Sequence, residues 1–149
     1  MSDLRFEQVQ PTGPDGGRHD WRRIHNLIIP TAPLSVDEVV ERAGRNYLEV
    51  AYLDGEAVGC STVRPPTGDA ATATVIARVL PEYRRRGYGK QLYRRGLAKA
   101  RELGAREIET VVLESNVEGL RFARDRGFVE IERYVLPGDT IPFVDLRLT

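Results

Sequence analysis

The segment Arg84-Arg85-Arg86-Gly87-Tyr88-Gly89 sets three guanidinium groups and two glycines directly ahead of a long amphipathic run. That pattern suits an anion. The first-turn amides of a helix lack internal partners, and the macrodipole favours negative charge beside them. Gly87 and Gly89 let the backbone approach a phosphate closely and adopt unusual φ values. Each charge-assisted amide hydrogen bond is worth about 1.5–3 kcal/mol, so four or five could anchor a diphosphate. Arg84, Arg86 and Lys90 add charge at the rim. This is not a P-loop, because Gln91 follows Lys90, nor a dinucleotide turn, which needs the Gly-x-Gly-x-x-Gly order. A glycine turn before a solvated helix face is the plainer alternative for these residues.

The remaining chemistry-bearing residues are sparse. With His19, His25 and Cys60 as the full complement of histidine and cysteine, no zinc constellation is expected. Eight basic residues and no acidic ones lie between Arg84 and Arg101, in a chain whose formal net charge is zero. A local basic cluster on a neutral chain points to a compact anionic ligand rather than to a long polyanion.

The elements that must hold these residues follow from hydrophobic period and turn chemistry. Leu4 to Gln10 reads as a strand, and Asp20 to Ile29 as a helix stopped by Pro30. Ser35 and Glu38 have capping-box spacing for a helix over Val36 to Ala43. Tyr47 to Leu53 and Ala57 to Arg64 flank Asp54-Gly55 as a hairpin, with Pro65 to Asp69 as a further turn. Ala70 to Leu80 is β-branched and reads as a central strand. Gly89 to Leu103 follows as the strongest helix, with Leu92, Tyr93, Gly96, Leu97, Ala100 and Leu103 on one face and Gly104 as its stop. Arg106 to Leu113 is a strand, Ser115 and Glu118 cap a helix to Asp125, and Phe128 to Leu136 and Phe143 to Leu148 are strands.

The resulting order, β-α-α-β-β-β-α-β-α-β-β, predicts an α/β domain. Its sheet is mixed and mostly antiparallel, of about seven strands, with a central parallel β-α-β crossover and about four helices. A length of 149 residues suits one domain over 1–149. The composition, 41% hydrophobic and 30% charged, is that of a soluble globular protein without a membrane span. No secretory leader is visible in MSDLRFEQVQP, and a lone Cys60 fits a reducing compartment, so a cytoplasmic location is expected.

Val79 to Leu92, reading Val-Leu-Pro-Glu-Tyr-Arg-Arg-Arg-Gly-Tyr-Gly-Lys-Gln-Leu, resembles the signature of the GCN5-related N-acetyltransferase (GNAT) superfamily. Glu114-Ser115-Asn116 through Gly127-Phe128 resembles that family's second cofactor motif, and the hairpin around Asp54-Gly55-Glu56, ending in Val58-Gly59, resembles its second and third strands. Together these cover about 50 to 130. The resemblance implies acetyl-CoA, or another acyl-CoA, as cosubstrate, with no metal. Its pantetheine would lie between the fourth and fifth strands against the main chain of Val79 and Leu80. Its pyrophosphate would meet Arg84, Arg85, Arg86, Gly87, Tyr88, Gly89 and Lys90. Asn116 would touch the pantetheine, with a helix cap as its alternative role. The implied partner is an amine acceptor, on a small molecule or a protein, and homodimers are common among such proteins.

The implied reaction is direct attack of a neutral amine on the thioester carbonyl, with a strand amide near Val79 or Leu80 stabilising the oxyanion. Many family members carry a tyrosine acid five residues before the phenylalanine of Gly-Phe; here that position is Ala123. Tyr134 is the first substitute and Tyr83 the second, each with a packed aromatic as its alternative. The fourth strand contains no carboxylate, so Glu114 and Glu49 are the candidate bases, with His25 as a further one whose plainer reading is a helix-surface histidine. A domain that binds acyl-CoA without turnover is the alternative function that Ala123 raises. A nucleic-acid module built on Arg84 to Arg101 is disfavoured by the neutral net charge.

Overall fold

The computed structural model describes residues 3–149, so Met1 and Ser2 of the N-terminal reading lie outside the described residues. Seven strands are β1 (Leu4–Gln8), β2 (Tyr47–Leu53), β3 (Glu56–Thr67), β4 (Thr72–Val79), β5 (Glu107–Leu113), β6 (Phe128–Tyr134) and β7 (Phe143–Leu148). Four helices are α1 (Arg18–Ile28), α2 (Val36–Arg45), α3 (Tyr88–Glu102) and α4 (Val117–Asp125). The strands form one sheet in the order β1-β2-β3-β4-β5-β7-β6. Every pairing is antiparallel except β4 with β5, which α3 connects as the expected crossover.

Each face of the sheet has its own core. Helices α1 and α2 bury Trp21, Ile24 and Val39 against Leu48, Val50 and Cys60 on one face. Helices α3 and α4 bury Tyr93, Ala100, Leu120 and Ala123 against Val63, Val75 and Val144 on the other. Gly96 lets α3 sit close to the sheet: a Cβ there would stand 2.6 Å from Cγ1 of Val75. The predicted face of α3 holds for Leu92, Tyr93, Gly96 and Ala100, whereas Leu103 is exposed at the helix end.

Three local expectations are corrected. The prolines do not end β3, which runs to Thr67 with a register shift between Arg64 and Thr67. They lie beyond Val63, the last residue paired to β2, so their missing N–H groups interrupt no ladder on that side. Ser115 does not cap α4. Asn116 does, its Oδ1 accepting from the Gly119 amide at 3.0 Å, because the helix begins one residue later than the spacing suggested. Third, His25 is buried rather than on a helix surface, stacked on Trp21 at 5.3 Å between ring centroids.

Candidate active site

Strands β4 and β5 pair only through Thr72, Ala73 and Thr74 with Glu107, Ile108 and Glu109. Beyond that point they separate, while β4 stays laddered to β3 as far as Val79 and β5 to β7 as far as Leu113. The gap is therefore held open by two well-paired walls. A cavity of about 250 Å³ fills it, lined by Val75 to Val79 on one side and Thr110 to Leu113 on the other.

One wall presents unpaired main chain. The Leu80 amide donates to the Val58 carbonyl at 2.9 Å, so Leu80, Arg78 and Ile76 belong to the set bonded to β3. In an antiparallel ladder the alternate residues, here Val79 and Ala77, turn their N–H and C=O groups the other way, into the gap. The Val79 carbonyl is taken by Nε of Arg84 at 2.8 Å. The Val79 amide and both main-chain groups of Ala77 remain as an exposed edge. The oxyanion role expected of Leu80 does not fit, since its amide is already engaged; Leu80 packs instead into the α1–α2 core.

The basic turn stands at the mouth of the gap. After a 3₁₀ turn at Pro81–Tyr83, Arg85 and Gly87 both take left-handed conformations, with φ of 65° and 82°. Gly87 precedes α3 without any side-chain cap, and the first intrahelical bond runs from Gln91 to Gly87. The amides of Tyr88, Gly89 and Lys90 thus lack helical partners. A Cβ on Gly89 would come within 3.4 Å of Phe122 and 3.6 Å of Val79, narrowing the entrance. Open amides, a glycine mouth and a long gap with bare strand edge fit an extended thioester carrier ending in a diphosphate. Among the described residues no group of histidine, cysteine or carboxylate side chains could hold a metal.

A family model described as the Acetyltransferase (GNAT) family matches residues 11–128. The chain belongs to the GNAT family. Members of this family are acyltransferases, and this chain is one of them. Its fold is that of solved GNAT proteins. A GNAT acetyltransferase of Elizabethkingia anophelis with acetyl-CoA bound superposes with a TM-score of 0.69 at 17% identity, over 97% of each chain. A Bacillus subtilis acetyltransferase in complex with CoA gives 0.69 at 22% identity, over 98% of each chain. Arabidopsis thaliana NAA60 in complex with a bisubstrate analogue gives 0.74 at 18% identity, over 97% of each chain. Among curated protein sequences, none matches significantly.

Against this GNAT frame, the residues singled out from sequence divide. Val79, Arg84, Arg85, Gly87, Gly89, Lys90 and Asn116 meet around the cavity. Arg86 and Tyr88 do not line it: Arg86 lies over the Tyr83 ring at 5.7 Å, and Tyr88 packs beside Val79 and Leu92. Arg84 also reaches Glu118 at 3.8 Å, which makes it a strut between the turn and α4 more than a free cation. Asn116 lines the cavity and caps α4 at once.

The expected acid and bases are engaged elsewhere. Glu114 accepts from Arg133 at 2.8 Å, half exposed and outside the cavity lining. Glu49 is buried, but Arg95 holds it through two hydrogen bonds of 3.0 and 2.7 Å, and Tyr47 donates a third. Tyr83 donates to Glu56. Tyr134 donates to Asp145 at 3.1 Å, and burial, then the Asp145 charge, pushes the phenol up to about 12. Bound to a carboxylate and so raised, it is a poor proton donor to a thiolate. Burial also raises Asp145, whose polar contact is Tyr134. For His25, burial first and Arg78 second lower the ring to about 4, so it is neutral near pH 7.

Tyr93 is a residue that sequence reasoning assigned only to the core. It lines the cavity, meets Phe122 and Phe128 edge-on at 6.3 and 5.8 Å, and shares a core cluster with Ala123. Its hydroxyl makes no hydrogen bond among the described residues, and burial raises its pKa. The position four residues after Gly89, one turn along α3, was the available signal.

Proposed function

We propose that the protein transfers an acetyl group from acetyl-CoA to a primary amine, by direct attack in a ternary complex. The observation that carries this reading is the β4–β5 gap, with the bare edge of Ala77 and Val79 on one wall and the Gly87–Gly89 turn at its mouth. Bound there, acetyl-CoA would supply an activated acyl carbon and a thiolate leaving group.

The residues of the chain supply position and proton traffic. The amides of Tyr88, Gly89 and Lys90, with the side chains of Arg85 and Lys90, would hold the diphosphate. Ala77 and Val79 would pair with the pantetheine as an added strand, and the Val79 amide would face the carbonyl oxygen as charge develops there. Holding amine and carbonyl together in this way can supply roughly 7–11 kcal/mol of the barrier reduction. The C–N bond forms as the C–S bond breaks. One proton leaves the attacking nitrogen, for which Asp145, hydrogen-bonded by Tyr134, is the candidate acceptor, and one proton reaches the thiolate, for which Tyr93 is the candidate donor.

Ala123, apolar and buried on the cavity wall, favours a second reading, an acyl-CoA-binding domain without turnover. Thermal stabilisation by acetyl-CoA followed by thiol release with an amine panel separates the two. Stabilisation with release supports transfer, and stabilisation without release supports binding alone. Absence of both would sink the acetyl-CoA reading.

A further inference from the structure

The cavity does not end at the strand gap. Ile28 and Ile29 of the α1 end also line it, so it opens toward the face covered by α1 and α2. On that face Arg78 is the anomaly. It pairs in register with Cys60, whose side chain lies in the α1–α2 core, so the Arg78 side chain rises on the same face. It lines the cavity, and among the described residues it makes no hydrogen bond or ion pair. Burial lowers its pKa to about 10; the Cys60 thiol opposes this, and the Arg64 and Arg42 charges add to it. Arg64, across from Thr74, and Arg42, on α2, likewise have no ion-pair partner within 4.0 Å among the described residues; Glu41 is held by Arg45 and Glu38 caps its own helix, and both act on Arg42 from further off. An unpaired arginine beside two more is costly unless an anion joins it.

The opposite lip of the same face is acidic. Asp145 does not itself line the cavity but stands across from Val111, which does; no cation lies within ion-pair distance of it among the described residues, and the Arg64 charge acts on it from further off. Tyr134, which donates to it, stacks on Phe143, and Phe143 packs with Ile29. A cationic pole and an anionic pole thus flank the apolar patch of Ile28, Ile29 and Val111.

We infer that the acceptor carries a carboxylate as well as its amine, an amino acid or a compound of that class, with the carboxylate on Arg78 and the amine at Asp145. This rests on the acetyl-transfer reading above. Arg42 adds charge to the carboxylate pole, Arg64 acts on Arg78 and Asp145 alike, and Arg78 gives the pole a planar fork for two parallel hydrogen bonds.

The test compares the twenty L-amino acids with their carboxamides, which keep size and amine but lose the negative charge. The ratio of kcat/KM for acid over amide is measured with acetyl-CoA for wild type, Arg78→Met and Arg64→Ala. Wild type should favour the acid by about tenfold or more, and Arg78→Met should lower the ratio about tenfold to a hundredfold, the value of a charge-assisted pair. Arg64→Ala, at an exposed position, should lower it about two- to fivefold and covers the case in which Arg78→Met does not fold. Equal use of acid and amide by wild type, or a ratio unmoved by both substitutions, would overturn the inference. So would a raised KM for acetyl-CoA in Arg78→Met with the ratio unchanged, which would give Arg78 to the cofactor. Calorimetric titration of the CoA-loaded protein with the same amino acids keeps the two readings apart. Binding weakened by Arg78→Met without any turnover supports the carboxylate site and removes acetyl transfer; no binding and no turnover removes the site.

Discussion

Nε of Arg84 donates to the Val79 carbonyl at 2.8 Å, so the turn that opens α3 is tied to the last residue of β4. The tie has two effects. It removes one acceptor from the exposed edge of the gap, and it fixes the spacing between that edge and the open amides of Tyr88, Gly89 and Lys90. Loss of this hydrogen bond should loosen the mouth of the site before it affects the acyl end. Arg84→Ala is expected to raise the KM for acetyl-CoA about tenfold with a smaller change in kcat, the pattern of lost positioning away from the reacting atoms. Steady-state kinetics check this, and a purely kcat effect would contradict it.

Gly87 has a φ of 82° and open space where a Cβ would sit. Gly87→Asp should therefore fold, at a cost of about 1–2 kcal/mol for the left-handed conformation. It would also put a negative charge among amides that await a phosphate. The expected result is a cooperative melt a few degrees lower, with thermal stabilisation by acetyl-CoA abolished. Retained stabilisation would show that the turn does not hold the diphosphate.

Tyr93 and Tyr134 make opposite predictions for the same change. Tyr93→Phe should lower kcat about 10²-fold or more while leaving acetyl-CoA affinity near its starting value, as expected of a proton donor acting in the transition state. Tyr134→Phe removes the hydrogen bond to Asp145 and should shift the pH profile of kcat/KM for the amine instead. Pre-steady-state kinetics with both variants distinguish these assignments, and a Tyr93→Phe enzyme of full activity would return Tyr93 to the core.

Glu49 and Arg95 form a structural pair. Arg95 is about half exposed while the Glu49 side chain is 4% exposed, so removing the cation strands a buried carboxylate. Arg95→Ala should cost about 2–3 kcal/mol in urea unfolding, somewhat under the value for a fully buried pair. Glu49→Gln should cost less, because the amide can still accept from Tyr47 and Arg95, and it should leave kcat unchanged.

His25 gives stability a pH dependence. Its folded pKa is about 4, below the ordinary 6.5, so between those values the unfolded chain binds the extra proton. Stability is then full above about 6.5 and falls as pH drops toward about 4, by about 3 kcal/mol over the whole interval. Unfolding midpoints at pH 7.5 and 5.0 measure this. His25→Gln, which lacks the titrating ring, should flatten the slope.

Sequence by itself determined the order of elements, the parallel crossover and the basic glycine turn. Those depend on local period and turn chemistry: β-rich runs on either side of Asp54-Gly55, a 3.6-residue stripe on α3, and glycine where φ must be positive. Its boundary errors lay within three residues of element ends, as at Ser115 and Pro65, where the next residue or the neighbouring strand decides. Tertiary structure alone decided which groups face the gap. Strand alternation offers Val79 and Leu80 equally, and pairing to β3 removes the Leu80 amide while leaving that of Val79. Glu49 and Glu114 read alike as free carboxylates until Arg95 and Arg133, 46 and 19 residues away, are seen to hold them. Arg78 was invisible for the same reason. A charge on a strand acquires meaning only when the helices above it and the strands beside it either supply a counter-ion or, as here, leave it without one.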